Sequence, residues 1–178
     1  MRRYRRSTRP AFSGPPQWLL PLVLLAAMAV VALLLRPVEP PFSGAVYAVD
    51  GDTLRQGSER IRLLGIDAPE LQQTCSRPNG EVWACGRAAR DLLADLVQDL
   101  SVTCQPQGRD RYQRILAKCK SREIDLGGHL VQKGMALGEF EYLAAEIAAR
   151  ASGEGIWSST FVTPKEWREQ HPLMSEPD

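Results

Sequence analysis

An 18-residue run without a single charge, Trp18 to Leu35, divides this chain into two parts that must obey different rules. It lies between an arginine cluster (Arg2, Arg3, Arg5, Arg6 and Arg9) and the pair Arg36-Pro37. Spans of ~20 apolar residues cross a bilayer, whereas the apolar core of a signal peptide has only ~7–15. The run therefore reads as a transmembrane signal anchor over residues 18–35. Arginines stay on the cytoplasmic side, so residues 1–17 form a basic cytoplasmic terminus and everything after Arg36 is exported. Val31-Ala32-Leu33-Leu34-Leu35-Arg36 lacks the small-x-small pattern of a cleavage site. Secretion after signal cleavage is the alternative.

The chain beyond Leu35 has room for one domain: a proline-rich linker at 36–43, a folded part at 44–168, and a disordered tail at 169–178. The whole chain carries +1, but from residue 41 onward there are 16 Lys and Arg against 20 Asp and Glu, a net −4. That argues against tight non-specific binding to nucleic acid, which scales with the phosphates neutralised. A local basic strip runs the other way: Arg109, Arg111, Arg114, Lys118, Lys120 and Arg122 face only Asp110. All four cysteines lie beyond the apolar run, and an even count in an exported chain points to two disulfides. Three pairings are possible. Cys75–Cys85 would close a loop containing Pro78-Asn79-Gly80, and Cys104–Cys119 would join two paired strands. Zinc is a poor rival, since there is no Cys-x-x-Cys and the histidines are only His129 and His171.

Alternation of apolar and polar residues predicts strands at 45–49, 53–55, 60–64, 101–105 and 115–120, with a hairpin turn at Gln56-Gly57-Ser58-Glu59. Helical spacing of Ala89, Leu92, Leu93, Leu96 and Val97 predicts a helix over 86–100, and shorter helices come after it at 125–133 and 143–151. Trp157, Phe161 and Trp167 would dock the C-terminal segment. Strands first, with helices among and after them, describe a small α+β domain and agree with an OB-type barrel.

Two acidic segments carry the chemistry. Asp50-Gly51-Asp52 alone is a favoured tight turn. Asp67-Ala68-Pro69-Glu70 alone reads as a helix start with a capping box. Taken together and in order, Asp50-Gly51-Asp52-Thr53, Arg62-Leu63-Leu64-Gly65-Ile66-Asp67-Ala68-Pro69-Glu70 and Asp110-Arg111-Tyr112-Gln113-Arg114 resemble the three signature blocks of the thermonuclease family, the staphylococcal-nuclease-like domains. Leu130-Val131 with Gly134-Met135-Ala136, and Gly155-Ile156-Trp157, fit the same family. The resemblance covers roughly residues 43–160, and the cysteines and the Trp157…Trp167 ending look like its exported, membrane-anchored bacterial branch.

The resemblance implies a five-stranded OB-fold barrel with about three helices. It further implies a Ca2+-dependent nuclease that cleaves DNA and/or RNA with little sequence specificity, as a monomeric domain. Asp52, Asp67 and the Ala68 carbonyl would ligate the metal, as hard oxygen donors suit Ca2+. Glu70 would orient or deprotonate the attacking water, and Arg62 and Arg114 would fork onto the scissile phosphate. Tyr112, Phe140 and Tyr142 would contact substrate, the last two by stacking on bases. Three departures stand out: Gln113 replaces a common glycine, and Glu139 and Glu141 flank the stacking residues. These acids weaken the hold on a polyanion and bear on affinity and substrate preference, not on the reaction type. The alternative is a catalytically weak nucleic-acid-binding module of the same fold.

Overall fold

The computed structural model describes residues 18–34, 39–98 and 101–172, and the chain divides into two units, Met1–Pro37 and Val38–Asp178. In the first, α1 (Leu19–Leu34) is a 16-residue apolar helix without a charge. At 1.5 Å per residue it spans ~24 Å against a hydrocarbon core of ~30 Å. Among the described residues no helix is long and apolar enough to cross a membrane. The basic terminus at 1–17 and the C-terminal flank at 35–38 lie outside the described residues.

The second unit begins inside the expected linker. β1 (Phe42–Gly44) pairs with β8 (Val102–Arg109), so residues 42–44 belong to the sheet. β2 (Tyr47–Ala48), β3 (Thr53–Gln56) and β4 (Glu59–Leu63) are antiparallel neighbours in turn. β4 buries Ile61 and Leu63 and leaves Arg60 and Arg62 half-buried on the other face, the two-residue period that the sequence shows. β9 (Ile115–Ser121) lies between β8, antiparallel, and β4, parallel. The path of neighbours is β1-β8-β9-β4-β3-β2, with β10 (Ile124–Asp125) also on β9. Among the described residues this sheet therefore has seven strands where five were expected. The additions are short edge pairings that alternation cannot reveal in two or three residues.

Two further ladders fix the loops. β5 (Ile66–Asp67) pairs with β11 (Leu137–Gly138), and β6 (Cys75–Ser76) with β7 (Val82–Trp83). α2 (Cys85–Val97) buries Gly86, Ala89, Leu93 and Val97 on one stripe. α3 (Leu126–Gln132) and α4 (Leu143–Ser152) complete the main core around Leu54, Ile61, Leu126 and Leu130. Both disulfides form, Cys75–Cys85 and Cys104–Cys119; Cys104 and Cys119 are direct register partners on β8 and β9.

The C-terminal segment is more ordered than the sequence suggests. α5 (Pro164–Gln170) starts at a capping box, with Thr163 accepting from the Glu166 backbone and the Glu166 side chain accepting from Thr163. It takes Glu169 and Gln170 out of the expected tail, while residues 173–178 lie outside the described residues. Trp167 is buried and stacks on His171 at 4.3 Å. Trp157 and Phe161 meet edge to face at 5.3 Å in a small second core around the Cys75–Cys85 bridge.

Candidate active site

Asp52 is brought to the site by the turn that precedes β3. Its backbone N–H donates to Asp50 Oδ1 at 2.9 Å, closing an Asx turn. Gly51 lets that turn lie flat on α2: a Cβ there would meet Ala68 Cβ at 2.6 Å and Ala89 Cβ at 2.9 Å. The carboxylate itself is buried, and both oxygens have donors. Oδ1 accepts from Arg62 Nη1 at 2.6 Å and Thr53 Oγ1 at 3.2 Å, and Oδ2 from the Ala68 N–H at 3.2 Å. Burial pushes the Asp52 carboxyl up to about 7 against the pull of Arg62.

Arg62 stands on β4 opposite Thr53, which explains its reach to Asp52. Its second nitrogen donates to Asp67 Oδ1 at 3.1 Å. Although burial works against the charge, Asp52 and Asp67 hold the guanidinium above its ordinary pKa. Asp67 returns on β5 after the left-handed turn at Gly65 (φ 78°). Asp67 is not the start of a helix; its segment is a strand end followed by an irregular turn.

Glu70 sits in that turn and is clamped by Gln73, a residue that no sequence signal marks. The Glu70 N–H donates to Gln73 Oε1 at 3.1 Å, and the Gln73 N–H to the Glu70 carbonyl at 2.7 Å. Gln73 is fully buried and also donates from Nε2 to the Val162 carbonyl at 2.8 Å. α2 begins directly against the same backbone. A Cβ on Gly86 would fall 1.7 Å from the Glu70 carbonyl oxygen, so only glycine fits. Burial raises the Glu70 carboxyl, partly opposed by Arg168.

Arg168 is the second residue absent from the sequence-based set, and the more consequential. From α5 it donates through Nη1 to Asp67 Oδ1 at 3.0 Å and Glu70 Oε1 at 2.7 Å, and through Nη2 to Asp67 Oδ2 at 3.1 Å. Burial disfavours the charge, but these bonds hold the guanidinium above its ordinary pKa. Only the pairing of the capping box with a following Trp-Arg hints at a docked helix.

Arg114 lies in the loop between β8 and β9, where Asp110 holds it at 2.7 Å through Nε. Burial opposes ionisation of Asp110, but the hydrogen bonds from Arg114 and the Tyr112 N–H lower its pKa. Gln113, between Tyr112 and Arg114, has φ 64°, the left-handed region that a glycine adopts without strain. Tyr112 is exposed, with the Arg111 and Arg114 guanidiniums 4.7 and 5.5 Å from its ring centre. Arg62, Glu70, Tyr112, Arg114 and Arg168 line one open cleft of about 1020 Å3.

The two expected stacking residues part company. Phe140 is 96% exposed. Tyr142 is buried, and its hydroxyl donates to Asp125 Oδ2 at 2.8 Å. Its ring packs on Gly127 and Gly128, where an added Cβ would lie 3.2 Å from the Tyr142 side chain, tighter than ordinary contact. Burial and then Asp125 push the Tyr142 phenol well above its usual pKa. The ring is therefore a core element with no face for a base. The basic strip is also partly neutralised: Arg109 pairs with Glu39 and Glu59, and Lys118 with Glu141.

Asp52 and Asp67, bridged by Arg62, are hard donors suited to a cation such as Ca2+. Among the described residues there is no cluster of three or more His, Cys, Asp or Glu side chains arranged around a metal position. The positive charge that the two acids require is supplied by guanidinium groups.

Residues 60–159 match the family described as Staphylococcal nuclease homologue. An uncharacterized endonuclease of Haemophilus influenzae is 33% identical over 136 residues, covering 70% of this chain and 71% of that protein. Micrococcal nuclease of Shigella flexneri is 30% identical over 165 residues, covering 80% and 89%. The succinoglycan biosynthesis protein ExoI of Rhizobium meliloti is 32% identical over 124 residues; the alignment covers 66% of this chain and 65% of that protein.

Proposed function

The chain belongs to the staphylococcal nuclease homologue family, and on that footing we propose that it is a Ca2+-dependent nuclease of low sequence specificity, acting on DNA and/or RNA outside the cytoplasm. The observation that carries the reading is the convergence of Arg62, Glu70, Tyr112 and Arg114 on one cleft, with Asp52 and Asp67 behind Arg62.

A phosphodiester repels nucleophiles because it is an anion. Arg62 and Arg114 supply planar donor forks that match two phosphate oxygens and stay charged at any working pH. As the attacking oxygen adds to phosphorus, negative charge grows on those oxygens, and the preplaced guanidiniums stabilise it. Glu70 is held by its backbone and raised by burial, which brings its basicity nearer to neutral pH. It takes the proton that water loses during attack. Tyr112 lines the same cleft and contacts the phosphate chain; Phe140, fully open, stacks on a base. Asp52, Asp67 and the Ala68 carbonyl would hold Ca2+, which when bound neutralises phosphate charge and lowers the pKa of a bound water.

Export rests on the first unit. The apolar run continues past α1 to Leu35, and most of the described side chains on α1, from Leu20 to Val31, are exposed and apolar. A single-pass anchor with the domain on the far side of the membrane accounts for both, and for two disulfides. The domain acts as a monomer.

The test is digestion of single-stranded DNA by the full chain in detergent, with Ca2+, with chelator, and with Glu70→Gln. Cleavage that needs Ca2+ and is lost in the variant supports the reading. Folded protein that binds the strand without cutting it supports the weak binding module; Glu139, Glu141 and the Lys118–Glu141 pair lower affinity for a polyanion under either reading.

A further inference from the structure

Arg168 occupies the place on Asp67 and Glu70 where a positive charge is needed, and it comes from a helix beyond the 60–159 family match. Asp67 Oδ1 accepts from Arg62 and Arg168 together, and Oδ2 from Arg168. Asp52 has Arg62 and Thr53 on one oxygen and the Ala68 N–H on the other. No oxygen of either carboxylate is without a donor. A divalent cation that reached Asp67 would compete with two guanidiniums for its oxygens, and repulsion between like charges at that distance favours the departure of one.

The two arginines are not equally free to do so. Arg62 is rooted in β4, flanked by β3 and β9, and its other nitrogen is committed to buried Asp52. Arg168 stands on the seven-residue α5, its side chain 31% exposed on the wall of the cleft. Trp167, next to it, is buried and keeps α5 docked whether or not the guanidinium stays on the acids. We infer that Arg168 is the resident counter-ion of the Asp67–Glu70 pair, displaced when a divalent cation binds, so that the C-terminal helix sets the affinity of the site for metal. This rests on the metal-dependent reading proposed above. It makes Arg168 a positioning residue: without metal it holds both carboxylates in place and screens their repulsion, and on metal binding it swings into the cleft.

The experiment is calorimetric titration of Ca2+ into the full chain in detergent, without substrate, for wild type, Arg168→Gln, Arg168→Lys, Lys165→Gln and Asp67→Asn. Removing the competing charge is expected to tighten Ca2+ binding by ~10-fold or more in Arg168→Gln. Arg168→Lys should fall between it and wild type. Lys165→Gln, which removes a charge from the same helix and cleft wall, should change affinity by less than ~3-fold. Thermal melts without Ca2+ show that each variant is folded. If binding is abolished by Asp67→Asn but Arg168→Gln is equal to or weaker than wild type, the displacement is wrong while the metal site stands. Equal gains in Arg168→Gln and Lys165→Gln would likewise overturn it, leaving only general electrostatics. If no folded variant shows binding that depends on Asp67, the metal reading itself fails and the inference falls with it.

Discussion

Arg62 holds the buried Asp52 carboxylate at 2.6 Å across the β3–β4 ladder, and this pair joins the stability of the sheet to the chemistry of the cleft. Arg62→Ala leaves Asp52 in the core without its counter-ion. Breaking one side of a buried pair costs ~3–5 kcal/mol. Turnover should fall by at least ~10²-fold because a phosphate donor is lost too. Arg62→Lys should recover part of the stability and little of the activity, since a point charge cannot fork between Asp52 and Asp67. Urea unfolding beside nuclease assays reads both.

Asp52 makes the domain sensitive to pH. Its folded pKa, about 7, lies above the ordinary 3.8 because of burial, so the folded state keeps a proton that the unfolded chain releases. The stability this contributes is complete below about 4 and is lost as pH rises through about 7. Asp52→Asn does not titrate. The stability of wild type relative to Asp52→Asn should therefore decline between pH 4 and 7 in metal-free unfolding curves. A constant difference would show that Arg62 keeps Asp52 ionised throughout.

Gln113 is held at φ 64° between Tyr112 and Arg114, which both line the cleft. A left-handed L-residue costs ~1–2 kcal/mol, part of which glycine gives back as unfolded-state entropy. Gln113→Gly should therefore stabilise the domain by up to ~1 kcal/mol in equilibrium unfolding. The Asp110–Arg114 pair should survive, so turnover should change little.

Phe140 and Tyr142 separate stacking from packing. Phe140→Ala removes an exposed ring and should raise KM while leaving stability within ~0.5 kcal/mol. Tyr142→Phe strands Asp125 Oδ2 and should cost ~1–2 kcal/mol without changing KM. Paired thermal melts and initial-rate measurements distinguish them.

Much of the fold was legible because its signals are local. Alternation in Ile61 and Leu63, and the stripe Ala89, Leu93, Val97, mark a strand and a helix from side-chain period alone. The short pairings β1, β5 and β11 were not, since two or three residues carry no period. The same limit hid the ordered C-terminal helix: its start, Thr163 to Glu166, is a recognisable capping box, but seven residues show too little amphipathic pattern to predict docking.

The site divides in the same way. Asp52, Arg62, Asp67, Glu70 and Arg114 were named through the resemblance of their segments to the family's signature blocks, whereas residue type and spacing alone read Asp50-Gly51-Asp52 as a turn and Asp67-Ala68-Pro69-Glu70 as a helix cap. Which partner each would hold depends on distances between segments remote in sequence. Arg168 lies 98 residues from Glu70 and 101 from Asp67, yet it is the cation bonded to both. Tyr142 and Phe140 differ by two positions, and only the packing of Gly127 and Gly128 against one ring decides that it is core and the other is surface. Chain order carries chemical identity; contact, burial and charge pairing arise only when the folded backbone brings distant residues together.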